Sequence, residues 1–252
     1  MAAHEHHAGR TYLYAVIAGA GDRTYGPIGI DDGLVYCISC GAAAAVVSDL
    51  TQRSLRPQRR HLAAHQRVLK RLMEDGSPMP MSFGVIADGP EDIRRILALN
   101  QETLVERLER LSGRVEMGLR VRWDVPNLFE YLVNQHDELR VARDRAFRQG
   151  RDPSPDERME LGRLVERLLD EDRATAAERV EEGLRACCDE IKENKPQDEC
   201  ELVRLACLIA RGSEDAFAQG VVAVAGQFDA NYCFDYNGPW APHNFVDVNL
   251  QM

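Results

Sequence analysis

The sequence has no stretch that approaches the ~18 consecutive apolar residues of a membrane span. Its opening residues, MAAHEHHAGR, lack the apolar segment of a secretory signal. Both absences point to a cytoplasmic protein. Basic charge is also in short supply: 31 Lys and Arg against 41 Asp and Glu give a net charge of −10. No broad positive field exists to draw in nucleic acid or anionic lipid. The cations present are scattered among acids, as at Arg107, Glu109 and Arg110, which is the pattern of solvated helix surface. Seven cysteines, an odd number spread over 252 residues, do not make a disulfide framework. Reduced, mostly buried thiols are expected instead.

The usual catalytic signatures are missing too. There is no G-x-S-x-G and no phosphate-binding G-x-x-x-x-G-K-[ST]. The loop GAGDRTYGPIG (19–29) begins with Gly19-x-Gly21, but Thr24 stands where a dinucleotide fingerprint needs glycine. No helix is expected directly after it to supply an anion site, so it reads as a surface loop. Cys37 and Cys40 form a lone C-x-x-C in a run that reads as strand, where an odd separation puts the two sulfurs on opposite faces. Neighbouring Cys187 and Cys188 also point apart. His61 and His65 have the i, i+4 spacing of a zinc pair, but Leu62 occupies the position of a general base and no third ligand is evident. His4, Glu5, His6 and His7 would bind metal only adventitiously at a chain end. Adjacent acids such as Glu171-Asp172 and Glu181-Glu182 sit on a charged helix and are expected to be solvated. From the chemistry alone the protein is expected to be non-enzymatic, with no catalytic residue, no cofactor and no metal.

What is present is an α+β pattern in two parts. Residues 1–10 are expected to be disordered. In 11–113, TYLYAVIA (11–18) is a buried strand, LVYCISC and AAAAVVS form a hairpin about Gly41, and a helix runs from Pro57 to Glu74. PMPMSFGVI (78–86) suits an edge strand because of its prolines, and a helix from Pro90 to Leu111 follows. In 114–236, RVEMGLRVRWD alternates strictly between apolar and polar residues, as a half-buried strand does. Pro126 opens a helix to about Arg148, and the loop GRDPSP precedes the longest helix, expected over 156–194. At 1.5 Å per residue that helix would span on the order of 50–60 Å. A strand at 201–211, a helix from Ser213 and a strand at 231–236 complete this part. Residues 237–252 form a tail containing GPWAPHNFV (238–246), whose two prolines should end any sheet ladder.

Several segments, in order, resemble the gas vesicle protein F/L family. They are TYLYAVIAG, AAAAVVSDL, HQRVLKRLMEDGSPMPMSFGVI, RVEMGLRVRWD and GPWAPHNFV. The ending carries the most specific match, through Gly238, Pro239, Trp240, Pro242, Phe245 and Val246. Ala241 replaces a family proline, His243 an aromatic, and Ser82 an arginine. The resemblance implies a two-domain α+β protein with a ferredoxin-like N-terminal part. It also implies an accessory protein of gas vesicle assembly, located in the cytoplasm and at the vesicle, that contacts the small hydrophobic shell protein and other accessory proteins. Val46, Val47, Met81 and Phe83 are then candidate partner contacts, on strand edges or exposed apolar patches. Pro239, Trp240, Pro242, Phe245 and Val246 are expected to dock the tail as a strap. Two rivals remain at this level: a small-ligand or nucleotide enzyme using the 19–29 loop and His65, and an oligomeric regulator that dimerises through the long helix.

Overall fold

A computed structural model describes residues 9–19, 21–52, 54–148 and 152–246. The expected N-terminal disorder and the adventitious histidines at 4–7 therefore lie outside the described residues, as do parts of the 19–29 and 150–155 loops and the last residues of the tail. The chain forms two compact units. One comprises the described residues up to Glu116 and again from Pro239, and the other lies between Met117 and Gly238. Of the tail expected over 237–252, the described residues from Pro239 to Val246 group with the first unit.

The first unit contains β1 (Arg10–Ala18), β2 (Thr24–Gly26), β3 (Val35–Cys40), β4 (Ala43–Leu50), α1 (Arg59–Asp75), β5 (Met79–Pro80), β6 (Ile86–Ala87), α2 (Pro90–Leu99) and α3 (Gln101–Leu111). Its antiparallel sheet runs β2-β3-β4-β1-β5, and β6 also pairs with β1. Residues Thr11 to Val16 of β1 are all buried, as expected of a strand covered on both faces. A bulge interrupts its alternation: Leu13 lies opposite Val47 and Ala15 opposite Val46, leaving Tyr14 as the extra residue. Tyr12 and Tyr14, two apart, share one core with Ala64, Val68, Leu69 and Leu72 of α1, and the bulge brings Ala15 into it as well. The 19–29 loop is more ordered than a free surface loop, since Thr24–Gly26 adds β2 to the sheet edge.

The second unit is built from β7 (Arg114–Trp123), which enters it, then α4 (Leu128–Gln135), α5 (Asp137–Ala146), α6 (Pro155–Leu184), β8 (Glu190–Glu193), β9 (Glu201–Ala210), α7 (Glu214–Ala225) and β10 (Tyr232–Trp240), which leaves it. The sheet order is β10-β7-β9-β8. Val115, Met117, Leu119, Val121 and Trp123 of β7 are buried, matching the alternation in the sequence. Three expected helices differ from their sequence outline. The helix over 90–111 breaks at Asn100, whose backbone leaves the helical region while its side-chain amide donates to the Ile96 carbonyl. The helix from Pro126 breaks at His136 into α4 and α5. The long helix ends at Leu184 rather than Asn194, because Glu190–Glu193 pairs with β9 and places Ile191 opposite Cys207. At its other end α6 is well defined. Ser154 accepts from the Glu157 N–H, Glu157 reaches back to the Ser154 N–H, and Pro155 opens the first turn.

Candidate functional site

In the first unit the polar side chains converge beneath the tail. Gly84 N–H donates to the Tyr12 hydroxyl at 3.1 Å, leaving the Tyr12 hydrogen for His65 Nδ1 at 2.9 Å. That arrangement suits a neutral imidazole, and burial, followed by the nearby His243, holds His65 down to about 4. The His243 ring lies 6.5 Å from that of His65 and is itself shifted down by burial. Burial likewise pushes Tyr12 up to about 12 and raises Tyr14. The Ile30 N–H donates to the Tyr14 hydroxyl, which also pairs with Ser48. A Cβ on Gly29 would come within 2.6 Å of that hydroxyl, so glycine is what lets the loop approach. His61 is buried between the Arg56 carbonyl and Asp31. His65 is only 2% exposed, which leaves it no open face for a small ligand. The cluster is a packed aromatic core, with Phe83 at 5.9 Å from His65, in which the Nε2 atoms of His65 and His243 are buried without a hydrogen-bond partner.

The tail divides into two behaviours. Ala241 and Phe245 are buried, Phe245 completely, and Pro242 is buried with them. Asn244 fixes the segment by donating its N–H and its side-chain amide to the two carboxylate oxygens of Glu116. Glu116 is therefore buried, although the alternation of β7 had placed it on the polar face. Val246 is half-buried. Pro239 and Trp240, by contrast, are exposed, and Trp240 retains 46% of its surface. Both belong to β10, so the ladder continues through the first proline. It can do so because β10 is an edge strand, where a missing N–H faces no partner.

The sequence-derived partner contacts fall mostly inside the core. Val46 and Val47 are fully buried and Met81 nearly so. The reason is topological: β4 lies between β3 and β1 and has no free edge. Phe83 is half-buried against Tyr12 and His65, while Ser82 beside it is exposed. β5 does lie at the sheet edge.

An open apolar surface occurs instead in the second unit, where sequence reasoning had not placed one. A groove of about 590 Å³ is walled by Leu128 and Phe129 of α4, Phe147 after α5, and Leu161, Val165 and Leu169 of α6. Phe129 and Phe147 keep 38% and 50% of their surface. The Arg167–Glu138 ion pair and the His136–Asp172 contact join α6 to α5 and to the break before it, so the walls are held by more than loops. Among the described residues, no three His, Cys, Asp or Glu side chains are grouped to hold a metal ion. No described helix is long and apolar enough to cross a membrane.

Comparison with known proteins covers both units. The model of the family "Gas vesicle synthesis protein GvpL/GvpF" matches residues 10–247. Gas vesicle protein F of a Nostoc species is 26% identical over 241 residues, covering 94% of this chain and 98% of that protein. Gas vesicle protein F of a Streptomyces species is 28% identical, with coverage of 94% and 99%. The crystal structure of GvpF from an Anabaena species shares 26% identity, covers 96% of this chain and 99% of its own, and superposes with a TM-score of 0.79. The GvpF structure from Microcystis aeruginosa, at 23% identity and a TM-score of 0.78, has the same fold.

Proposed function

The chain belongs to the gas vesicle synthesis protein GvpL/GvpF family and takes part in gas vesicle assembly; from that premise we propose that it binds the small hydrophobic shell protein and assists vesicle nucleation or growth without catalysing a reaction. It would work in the cytoplasm and at the growing vesicle, alongside other accessory proteins. A shell subunit that is apolar on one face needs that face covered until it joins the wall, and an open apolar groove on a stable scaffold can cover it. The observation that carries this reading is the groove between α4, the end of α5 and α6, with Phe129 and Phe147 left half-exposed. The tail has a separate, structural role in the proposal. Pro242, Phe245 and Val246 clasp it to the first unit, and Pro239 and Trp240 stand outside the clasp.

Co-purification with monomeric shell protein tests the proposal. The full chain should retain shell protein at micromolar concentration, and Phe129→Asp, a change at an exposed position, should lose it while keeping the wild-type melting temperature. If the wild-type chain ignores the shell protein, the binding role fails.

A further inference from the structure

We infer that the groove of the second unit is shaped for one kind of occupant, an amphipathic helix whose apolar face is bordered by basic side chains. Three observations lead there. The first is an uncovered stripe. α6 buries Leu168, Leu169, Ala176, Ala177, Val180 and Leu184, but no residue before Leu168. Leu161, Leu164 and Val165 recur at helical spacing and remain only half-buried. This is the face a helix normally turns to a neighbour, and its Leu161 and Val165 line the open groove instead.

The second observation is Gly162, which lines the groove. A glycine inside a helix costs backbone entropy and needs a reason. Elsewhere in this unit the reason is close packing. A Cβ on Gly183 would come within 2.3 Å of Val224, and one on Gly220 within 2.8 Å of the Cys187 sulfur. A Cβ on Gly162 would meet nothing within 4 Å. What the glycine does at this position is keep the groove floor low enough for another element's side chains.

The third is charge. Asp152, Glu166 and Glu199 border the groove against the single Arg158. Among the described residues none of the three carboxylates is engaged in an ion pair. An apolar trough with an acidic border complements a helix with a leucine-type stripe at i, i+3, i+4 and i+7 and lysine or arginine beside it. The volume lies within the roughly 300–1,000 Å³ typical of specific binding clefts.

The inference rests on the assembly role only for what the groove is used for, and its test does not depend on the shell protein. Two synthetic helices with the same leucine stripe, one flanked by lysine and one by glutamate, are titrated into the full chain by fluorescence anisotropy. The lysine peptide should bind roughly tenfold more tightly, the scale of two or three exposed ion pairs, and the advantage should shrink with added salt. Charge reversal at Glu166→Lys with Glu199→Lys should cancel or invert the preference. Gly162→Phe should fill the trough and abolish binding of both peptides without lowering the melting temperature. Equal binding of the two peptides, or undiminished binding to Gly162→Phe, overturns the inference. So does self-association of the chain, seen by light scattering, that Gly162→Phe abolishes, because the groove would then hold a second copy. A chain that prefers the lysine peptide but ignores shell protein refutes the proposed function and leaves the groove assignment standing. The reverse result refutes the groove alone.

Discussion

The two halves of α6 have similar sequence texture and opposite surroundings. From Leu168 onward the helix lies against α7 and β9, and its glycine at 183 exists because Val224 leaves no room for a side chain. Before Leu168 the stripe is only half-buried, its Leu161 and Val165 border an open groove, and the glycine at 162 faces empty space. The tail shows the same division over a few residues, with Phe245 fully buried and Trp240 about half exposed. Covered apolar residues measure what the fold needs. Uncovered ones in a rigid setting measure what it is for.

The largest expected contrast is in the tail. Phe245→Ala should cost about 3–5 kcal/mol, as for a fully buried aromatic, and lower the melting temperature by several degrees. Trp240→Ala should cost less, about 1–3 kcal/mol, because roughly half its surface already meets water. Equal losses would mean that Trp240 also serves as part of the clasp. Within α6, Leu184→Ala should destabilise by about 2–5 kcal/mol and Leu161→Ala by under about 1, measured by denaturant unfolding. A comparable loss at Leu161 would erase the distinction between the halves.

Acid is the next lever. The folded protein holds His65 near 4, below its ordinary value of 6.5, so the unfolded chain binds the extra proton first. Stability is therefore complete above about pH 6.5 and falls as pH drops towards 4, by up to about 3 kcal/mol from this group. His65→Phe should flatten that part of the pH profile even if it lowers stability at neutral pH. An unchanged acid slope would show that the imidazole titrates freely.

The smallest effects are also the cleanest, since they differ in sign. Gly183→Ala should destabilise by about 1–3 kcal/mol through overpacking against Val224. Gly162→Ala should stabilise by roughly 0.5–1 kcal/mol, because the added methyl favours the helix and meets nothing. Destabilisation by Gly162→Ala would mean that the groove floor is filled in solution.

Much of the framework could be read from period and punctuation alone. The alternation of β7 and the helix ending at Gly76 follow from local rules, whereas of the edge strand expected over 78–86 only Met79–Pro80 and Ile86 pair with β1. What local rules missed was set by partners distant in sequence. β8 looks like a continuation of α6 because Glu-Ile-Lys-Glu suits a helix, and only pairing with β9 makes it a strand. Val46 and Val47 looked like an accessible strand, yet β1 and β3 enclose β4. Glu116 read as solvent-facing because the tail residue that claims it lies 128 positions away. Asn100 and His136 carried no glycine or proline to mark the helix breaks. The groove was the least legible feature, since it arises where α4, the end of α5 and α6 leave a gap. The isolated Gly162, lacking any cap or turn to justify it, was the one hint in the sequence.

Hydrogen exchange of the full chain, with and without monomeric shell protein, tests the central claim most directly. Shell protein held in the groove should slow exchange along α4 and the first half of α6, around residues 128–132 and 158–169, with no change from Ala176 to Leu184. Binding that leaves those amides unprotected, while protecting the β5 edge or the Trp240 strand instead, would contradict it.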